Sequence, residues 1–285
     1  MDSQLEIAFI QPEETKRGHG LTGMLGKLEE DTLVLISGEE QANTIAPYAQ
    51  LTERSDYREK RTRSICQVRF GDLEMHNDYT TDSTLSVQPV ALKPLPKPWM
   101  AAREYRTAEK LNNKRRLTFK PLGFLALRGG KIATVTEFEQ GVTSFDNILY
   151  RKDGQPPQHE VEWALRCAAD TLLILHDKGY AHGDYQVKNT AHDVTLQPRV
   201  IDLTTIRKRD DPAKFGEDLT LYMESLSRFG VLESPASADQ VKDLFLDPYY
   251  QAIHDIFPSS KQKDMQKILA DLAVNADAVM NRGSS

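Results

Sequence analysis

The spacing of apolar residues differs between the two halves of the chain. In the first half, short apolar runs bounded by polar residues, glycine or proline predict strands at residues 5–10, 32–37, 65–70, 85–93, 122–127 and 132–138. In the second half, apolar residues recur every three to four positions and predict helices at residues 159–177, 215–228, 238–246 and 261–280. Strands that precede helices favour an α+β fold with a small sheet-rich part and a larger helical part.

Proline and glycine mark the ends and weak points of these elements. Pro89 lies inside the strand at 85–93, and because proline has no N–H to donate, it predicts an edge or bulged strand. A helix is predicted at residues 99–111, after a cluster of prolines that ends this strand. Gly179 predicts the end of the first long helix of the second half. Short strands are predicted on either side of the following polar loop, at residues 180–182 and 199–202.

The first sixty residues have more than one interpretation. Gly18-His19-Gly20-Leu21-Thr22-Gly23 has the form of a GxGxxG phosphate-binding pattern, but residues 12–17 separate it from the preceding strand. This separation favours a mobile glycine-rich connector. Three interpretations of residues 1–60 stay open: a regulatory extension, extra strands on the sheet-rich part, or an arm that docks a protein partner.

The composition is that of an ordinary globular protein, with 39% hydrophobic and 27% charged residues. The net charge of -6 argues against bulk binding to nucleic acid or anionic lipid, so no nucleic-acid partner is expected. The cysteines, Cys66 and Cys167, lack the spacing of metal ligands, and Cys167 fits a buried apolar position. Because no apolar run reaches transmembrane length and the first residues do not resemble a signal peptide, we expect a cytoplasmic protein without a membrane span.

The polar loop of the second half carries the candidate chemistry. Asp184 and Asn189 lie five positions apart (189 minus 184), and Asp202 follows thirteen positions later (202 minus 189), directly after the apolar pair Val200-Ile201. Phosphoryl transfer needs a carboxylate near the acceptor hydroxyl and oxygen ligands that hold magnesium against the phosphates. These three side chains fit both requirements if the loop brings them together.

This stretch resembles a known superfamily. His182-Gly183-Asp184, with Asn189 and the apolar-Asp-Leu step at Asp202, resembles the catalytic loop and metal-binding step of protein-kinase-like enzymes. The His-Gly-Asp form is typical of their atypical branches, which include aminoglycoside phosphotransferases, small KEOPS-associated kinases and lipopolysaccharide core kinases. The resemblance covers roughly residues 65–226 and implies a bilobal α+β fold that binds ATP and Mg²⁺ between its lobes. The implied parts are an N-terminal extension, a sheet-rich N-lobe and a helical C-lobe, at residues 1–60, 61–139 and 140–282.

The resemblance also implies roles in the second half of the chain. Asp184 would orient or deprotonate the acceptor hydroxyl, while Asn189 and Asp202 would hold magnesium. Lys188 would stabilise charge on the γ-phosphoryl group, or it is an ordinary exposed lysine. Asp218 resembles the helical aspartate that braces the catalytic loop.

In the first half, the resemblance implies the nucleotide-binding residues. Lys93, in Val90-Ala91-Leu92-Lys93, would pair with the α- and β-phosphates. Glu104 would hold this lysine, with Glu109 as the competing choice. The residues implied around adenine are Ala91, Thr136, Glu137, Phe138 and Ala191.

Two features depart from the family pattern. Gly71 is the only glycine in the segment before Lys93 where a glycine-rich loop would lie. In addition, Asp218 follows Asp202 after only sixteen positions (218 minus 202), which leaves no room for a long activation loop. Control by phosphorylation of such a loop is therefore not expected.

The histidines are expected to have structural roles. His182 is expected to hold loop backbone rather than act as a base. His159, His176 and His192 lack the spacing of metal ligands and are expected at the surface or at helix caps.

Together these features predict an ATP- and Mg²⁺-dependent kinase whose acceptor is a protein Ser or Thr hydroxyl or a small molecule. A pseudokinase that binds nucleotide without turnover is the first alternative, since the glycine-rich loop is absent. A nucleic-acid-binding or partner-binding module is the second, and the acidic net charge counts against it.

Overall fold

The computed structural model describes residues 3–10, 18–29, 32–36, 48–53, 68–76, 84–113, 116–127, 129–139, 141–150, 155–228 and 236–282. The chain divides into two compact units, Met1–Gln140 and Gly141–Ser285. Unit 1, the first of these, contains a curled, largely antiparallel sheet with helices against it. Unit 2 is mainly helical, so the chain as a whole is a mixed α/β protein.

Unit 1 is built on a closed barrel of seven described strands. They are β1 (Ser3–Ile10), β2 (Thr32–Ile36), β3 (Tyr48–Glu53), β4 (Arg69–His76), β5 (Thr84–Leu95), β6 (Pro121–Leu127) and β7 (Lys131–Glu137). Their order around the barrel is β1-β2-β6-β7-β5-β4-β3, and β1 closes it by pairing with both β2 and β3. The β1–β2 pair is parallel and the other pairs are antiparallel.

Successive side chains of each strand point to opposite faces, so one alternating set fills the barrel and the other faces outwards. The inner set is apolar and includes Leu33, Leu35, Leu51, Leu73, Val90, Leu92, Leu125, Ala133 and Val135. The outer set includes Val34, Leu95, Phe124, Ala126 and Ile132, which pack against two helices. These helices are α1 (Gly18–Leu25) and α2 (Pro98–Asn112).

The structure corrects the interpretation of Gly18 to Gly23 as a mobile connector, because this segment forms most of α1. Leu21 and Leu25 lie four positions apart, and both are buried in the cluster outside the barrel. Burial of this apolar stripe outweighs the low helix propensity of glycine, which costs about 1 kcal/mol per residue. Of the three interpretations of residues 1–60, the structure shows extra strands, since β1, β2 and β3 complete the barrel.

Pro89 predicted an edge or bulged strand, and the edge alternative was wrong. The ladder between β4 and β5 does shift register, but at Met75 and His76, opposite the start of β5 and away from Pro89. Strand β5 lies inside the sheet, between β4 and β7, and continues through Pro94 to Leu95. A proline lacks only the N–H donor, and the carbonyl oxygen of Pro89 still accepts a hydrogen bond from the N–H of Phe138 at 2.9 Å. The strand predicted at 65–70 begins instead at Arg69, and its first three residues lie outside the described part of the chain.

Unit 2 contains seven described α-helices and five short strands. The helices are α3 (Phe145–Leu149), α4 (Gln158–Asp177), α5 (Pro212–Arg228), α6 (Ala238–Val241), α7 (Asp247–Ile256), α8 (Ser259–Val274) and α9 (Ala276–Arg282). The strands are β8 (Thr143–Ser144), β9 (Tyr180–Ala181), β10 (Thr190–His192), β11 (Pro198–Val200) and β12 (Arg207–Lys208). They form a three-stranded sheet, β11-β10-β8, and a pair, β12-β9.

Two predicted helices of unit 2 are divided in the structure. The predicted helix at 238–246 becomes α6 and a wider π-helical turn, Lys242–Leu246, which leads into α7. The predicted helix at 261–280 becomes α8 and α9, because Asn275 leaves helical geometry with φ -103° and ψ 17°. Helix α4 confirms its prediction, and Gly179 follows it with φ +74°.

Among the residues that the structure describes, no helix combines the length and apolar character needed to cross a membrane. Cys167 is half-buried on α4, and burial raises the pKa of its thiol to about 11. Cys66 lies outside the described residues.

Candidate functional site

The loop that carries Asp184 is anchored by one buried carboxylate. Asp218, on α5, is completely buried and accepts hydrogen bonds from the backbone N–H of His182 at 2.6 Å and of Gly183 at 2.7 Å. Gly183 has φ +74°, a conformation that glycine adopts without the steric cost of a side chain. Asp218 thus occupies the bracing position that the family resemblance implied.

His176 approaches Asp218 from the other side. Its Nε2 lies 3.1 Å from Asp218 Oδ2, and its Nδ1 lies 2.8 Å from the hydroxyl of Tyr249, on α7. Burial lowers the pKa of His176, although the Asp218 carboxylate acts in the opposite direction. A neutral ring fits both contacts when Nε2–H donates to Asp218 and Nδ1 accepts from Tyr249. The prediction of a surface or capping role was therefore wrong for His176.

His182 connects the loop to the strand before Asp202. The ring is completely buried, Nδ1 accepts the N–H of Asp184 at 3.3 Å, and Nε2 lies 3.3 Å from the carbonyl oxygen of Ile201. Since Nδ1 is an acceptor, the proton resides on Nε2 and is donated to Ile201. Burial lowers the pKa of His182, although nearby carboxylates oppose this effect. The structural role predicted for His182 agrees with these contacts.

The side chain of Asp184 lies at the centre of the loop. Asn189 donates its amide N–H groups to the carbonyl oxygen of Asp184 at 2.8 Å and to Oδ2 at 2.9 Å. The amide of Gln186 donates to Oδ1. Lys188 is more distant, with Nζ 3.9 Å from Oδ2 and 45% of its side chain exposed. Asp184 keeps 28% of its side chain accessible, so an external group can reach the carboxylate.

Asn189 and Asp202 are neighbours in space because Ile201 joins their backbones. The N–H of Ile201 donates to the carbonyl oxygen of Asn189 at 2.9 Å, and the adjacent strands pair Thr190 with Val200. Asp202 itself has φ +55°, a left-handed conformation that is uncommon for residues other than glycine. Such conformations persist where the surroundings impose them, and they are frequent at functional sites.

The donor set of this loop fits a magnesium ion that is also bound by phosphates. The amide nitrogen of Asn189 donates to Asp184, so its amide oxygen would be the ligand atom. Asp202 would supply a carboxylate, of which Oδ1 also accepts the hydroxyl of Thr204. Magnesium in phosphotransferases is bound by one or two carboxylates, with phosphates and water completing the shell. Within the described ranges, no three His, Cys, Asp or Glu side chains form a protein-only metal cage.

In unit 1, Lys93 forms an ion pair with Glu104. The ammonium lies 3.3 Å from Oε1 and 3.2 Å from Oε2, and the two side chains are 16% and 10% exposed. Lys93 projects from the outer face of β5, where α2 packs. The competing candidate, Glu109, lies 3.2 Å from the hydroxyl of Tyr105. Glu104 is therefore the carboxylate that holds Lys93 in the structure.

The segment Thr136 to Phe138, expected to contact adenine, already uses its hydroxyl and two backbone N–H groups in hydrogen bonds within unit 1. The hydroxyl of Thr136 lies 3.5 Å from the carbonyl oxygen of Ala91, its register partner. The backbone N–H of Glu137 donates to Lys120, and that of Phe138 donates to Pro89, both at 2.9 Å. An adenine base would therefore need the carbonyl oxygens of this segment or an N–H from another residue.

Two further side chains expected near adenine, those of Glu137 and Ala191, are already bound by other residues or buried. The Glu137 carboxylate is bound by Gln88 at 3.1 Å, Arg116 at 2.8 Å and Lys120 at 3.3 Å. In unit 2, Ala191 is completely buried within β10. Its side chain has no exposed surface that would support a contact with adenine.

Sequence reasoning missed Gln186 and Tyr249 as partners of the loop. Gln186 lies two positions after Asp184, and this spacing was the only available signal. Tyr249 lies 73 residues after His176, so nothing local to either residue predicts their contact. No protein-family model matches the chain, and no curated protein is significantly similar to it.

Proposed function

We propose that the protein is an ATP- and Mg²⁺-dependent phosphotransferase of the protein-kinase-like type. It transfers the γ-phosphate to a hydroxyl group of a protein Ser or Thr or of a small molecule. The observation that carries this proposal is a chain of hydrogen bonds. The amide of Asn189 donates to Asp184, and the carbonyl oxygen of Asn189 accepts from Ile201, the residue before Asp202. The carbonyl oxygen of Ile201 in turn accepts from His182.

The proposed roles follow from the chemistry of each group. Asp184 orients the acceptor hydroxyl and accepts its proton, while Asn189 and Asp202 bind magnesium. Lys93, held by Glu104, binds the α- and β-phosphates. Lys188 contributes positive charge near the γ-phosphate. In this proposal unit 1 corresponds to the N-lobe and unit 2 to the C-lobe of a kinase-like fold, in a cytoplasmic protein.

Nucleotide binding without turnover is a second candidate function. The position of Gly71, the only glycine where a phosphate-binding loop was expected, favours it. Gly71 lies within strand β4, in register with Val90. The backbone there belongs to the sheet and does not form a loop that could cradle phosphates. Turnover of ATP separates this pseudokinase function from the phosphotransferase.

Calorimetric titration with ATP, with and without magnesium, tests the metal site. Asp202→Asn keeps a side chain that tolerates the left-handed backbone but removes the negative charge. We expect it to abolish the magnesium-dependent part of ATP affinity. Asp255→Asn, at an exposed position on α7, is the matched control and should bind like the wild-type protein. Equal affinity in the Asp202 variant would remove this residue from the metal site.

The same titration tests the lysine in unit 1. Glu104→Gln removes the charge that holds Lys93, and we expect about a tenfold loss of ATP affinity. Glu109→Gln makes the same change five positions along the same helix, next to Tyr105 instead of Lys93. It should leave affinity unchanged, and equal losses in the two variants would contradict the role of the Lys93–Glu104 pair.

A further inference from the structure

The carboxylate of Asp184 is held by two side-chain amides, one on each oxygen. Asn189 donates to Oδ2 at 2.9 Å, and Gln186 donates to Oδ1. A carboxylate bonded on both oxygens cannot rotate about its Cβ–Cγ bond without losing both contacts. The two amides together therefore set the plane of the Asp184 carboxylate.

The position of Gln186 in the loop allows it to hold the carboxylate of Asp184. The residue is only 7% exposed, and its carbonyl oxygen accepts the N–H of Asn189 at 2.9 Å. Its backbone is extended at φ -130° and ψ 161°, directly before the 3₁₀ turn Val187–Asn189. A buried amide that left Asp184 would lose a hydrogen bond to a charged group without gaining full contact with water. The loop thus favours one orientation of the Gln186 side chain.

Lys188 is a weaker candidate for holding the carboxylate. Its ammonium lies 3.9 Å from Asp184 Oδ2, and its side chain is 45% exposed. An exposed ammonium on a flexible stem is screened by water and loses rotamer freedom when it is held in place. Its proposed contribution is charge near the phosphate, whereas the orientation of Asp184 comes from the amides.

We propose that Gln186 is a positioning residue for phosphoryl transfer, which holds Asp184 so that a lone pair of the carboxylate faces the acceptor hydroxyl. This inference rests on the function proposed above. An ionised carboxylate has about four lone-pair sites, and the two amides occupy one on each oxygen. In the step that follows, the acceptor oxygen bonds to the γ-phosphorus and the hydroxyl proton passes to Asp184. The bond from this phosphorus to the β,γ-bridging oxygen breaks and releases ADP.

Magnesium-dependent release of phosphate from ATP, with water as the acceptor, tests this role. Gln186→Met keeps an unbranched buried side chain but removes the donor, and we expect kcat to fall about 10- to 100-fold with the KM for ATP unchanged. Gln186→Lys restores an N–H donor and should recover most of the lost kcat. The control is Gln158→Met, on α4, where the amide donates to Glu162 at 3.2 Å on the surface. This control should match the wild-type protein in both constants.

The outcomes distinguish the role of Gln186 from the proposed phosphotransferase function. Wild-type kcat in Gln186→Met, or equal losses in Gln186→Met and Gln186→Lys, would overturn the assignment of Gln186 while the proposed function stands. No turnover by the wild-type protein would overturn the proposed function and, with it, the role of Gln186. Should Gln186→Met not fold, Gln186→Asn takes its place. Its amide is too short to reach Asp184 in the same way, so the same loss of kcat is expected.

Discussion

Two residues of the candidate site adopt left-handed backbone conformations at different energetic cost. Gly183 has φ +74° and carries no Cβ, whereas Asp202 has φ +55° and does. For a residue with a side chain this conformation costs roughly 1–2 kcal/mol. Asp202 follows Ile201, whose N–H binds the carbonyl oxygen of Asn189, and its own carboxylate accepts the hydroxyl of Thr204. These local contacts hold the left-handed conformation.

Substitution of glycine tests the importance of the loop backbone. Gly183→Ala and Gly179→Ala each place a Cβ at φ +74°, and neither new atom approaches a neighbour closer than 3.4 Å. Both variants should lose about 1–2 kcal/mol in urea unfolding, because the backbone cost is the same. Only Gly183→Ala should also lower phosphotransferase activity, since Gly183 precedes Asp184. Equal activities in the two variants would show that a Cβ at position 183 does not disturb the position of Asp184.

The sequence was informative about individual polar residues and less so about their partners. The spacing of Asp184, Asn189 and Asp202 identified residues that the structure brings together. It could not identify Gln186 or Tyr249, because the contacts of these side chains depend on loop conformation and on helix packing. Their roles follow from tertiary structure alone.

Three helices of unit 2 share a buried polar cluster. His176 from α4, Asp218 from α5 and Tyr249 from α7 are connected by the contacts of 3.1 Å and 2.8 Å described above. The ring of Phe215 stacks on His176 at 4.0 Å between centroids and helps to exclude water. Because Asp218 also binds the loop, this cluster connects helix packing to the position of Asp184.

Removal of a single hydroxyl tests this cluster. Tyr249→Phe leaves Nδ1 of His176 without its donor, and an unsatisfied buried polar atom costs about 1–3 kcal/mol. The adjacent Tyr250 is 57% exposed, so Tyr250→Phe makes the same chemical change on the surface and should cost less than about 0.5 kcal/mol. Chemical denaturation of the two variants gives the comparison. Equal stabilities would contradict a structural role for the Tyr249 hydroxyl.

At the level of elements, periodic patterns predicted types better than boundaries. Helix α4 follows its apolar repeat closely, with Val161, Leu165, Ala168, Leu172 and Leu175 all buried. Strand β5 passes through Pro89 and Pro94, and the carbonyl oxygen of Pro89 accepts the N–H of Phe138 although proline has no N–H to donate. The division between α8 and α9 depends on the conformation of Asn275, which no periodic pattern contains.

The whole molecule should become less stable as the solution is acidified below about pH 6.5. Burial lowers the pKa of both His176 and His182 from their ordinary value. Below about pH 6.5 the unfolded chain binds protons at these histidines, whereas the folded protein does not until lower pH. Each histidine should therefore remove up to about 1.4 kcal/mol of stability per pH unit in this window.

Urea unfolding between pH 7.5 and 5 measures this dependence. His176→Gln removes one of the two titrating rings and should reduce the slope of stability against pH, whatever its effect at pH 7.5. His159→Gln changes an exposed ring and should keep the wild-type slope. A slope that is unchanged in His176→Gln would show that other groups cause the acid sensitivity.

The fate of the γ-phosphate tests most directly the proposal that Asp184 accepts the proton of the acceptor hydroxyl during phosphoryl transfer. The measurement is magnesium-dependent transfer from γ-labelled ATP to water or to an added acceptor, by the wild-type protein, Asp184→Asn and the exposed control Asp255→Asn. We expect turnover by the wild-type and control proteins, with a loss of at least about 100-fold in Asp184→Asn and no change in ATP affinity. No turnover in the wild-type protein, or equal turnover in Asp184→Asn, would contradict the account.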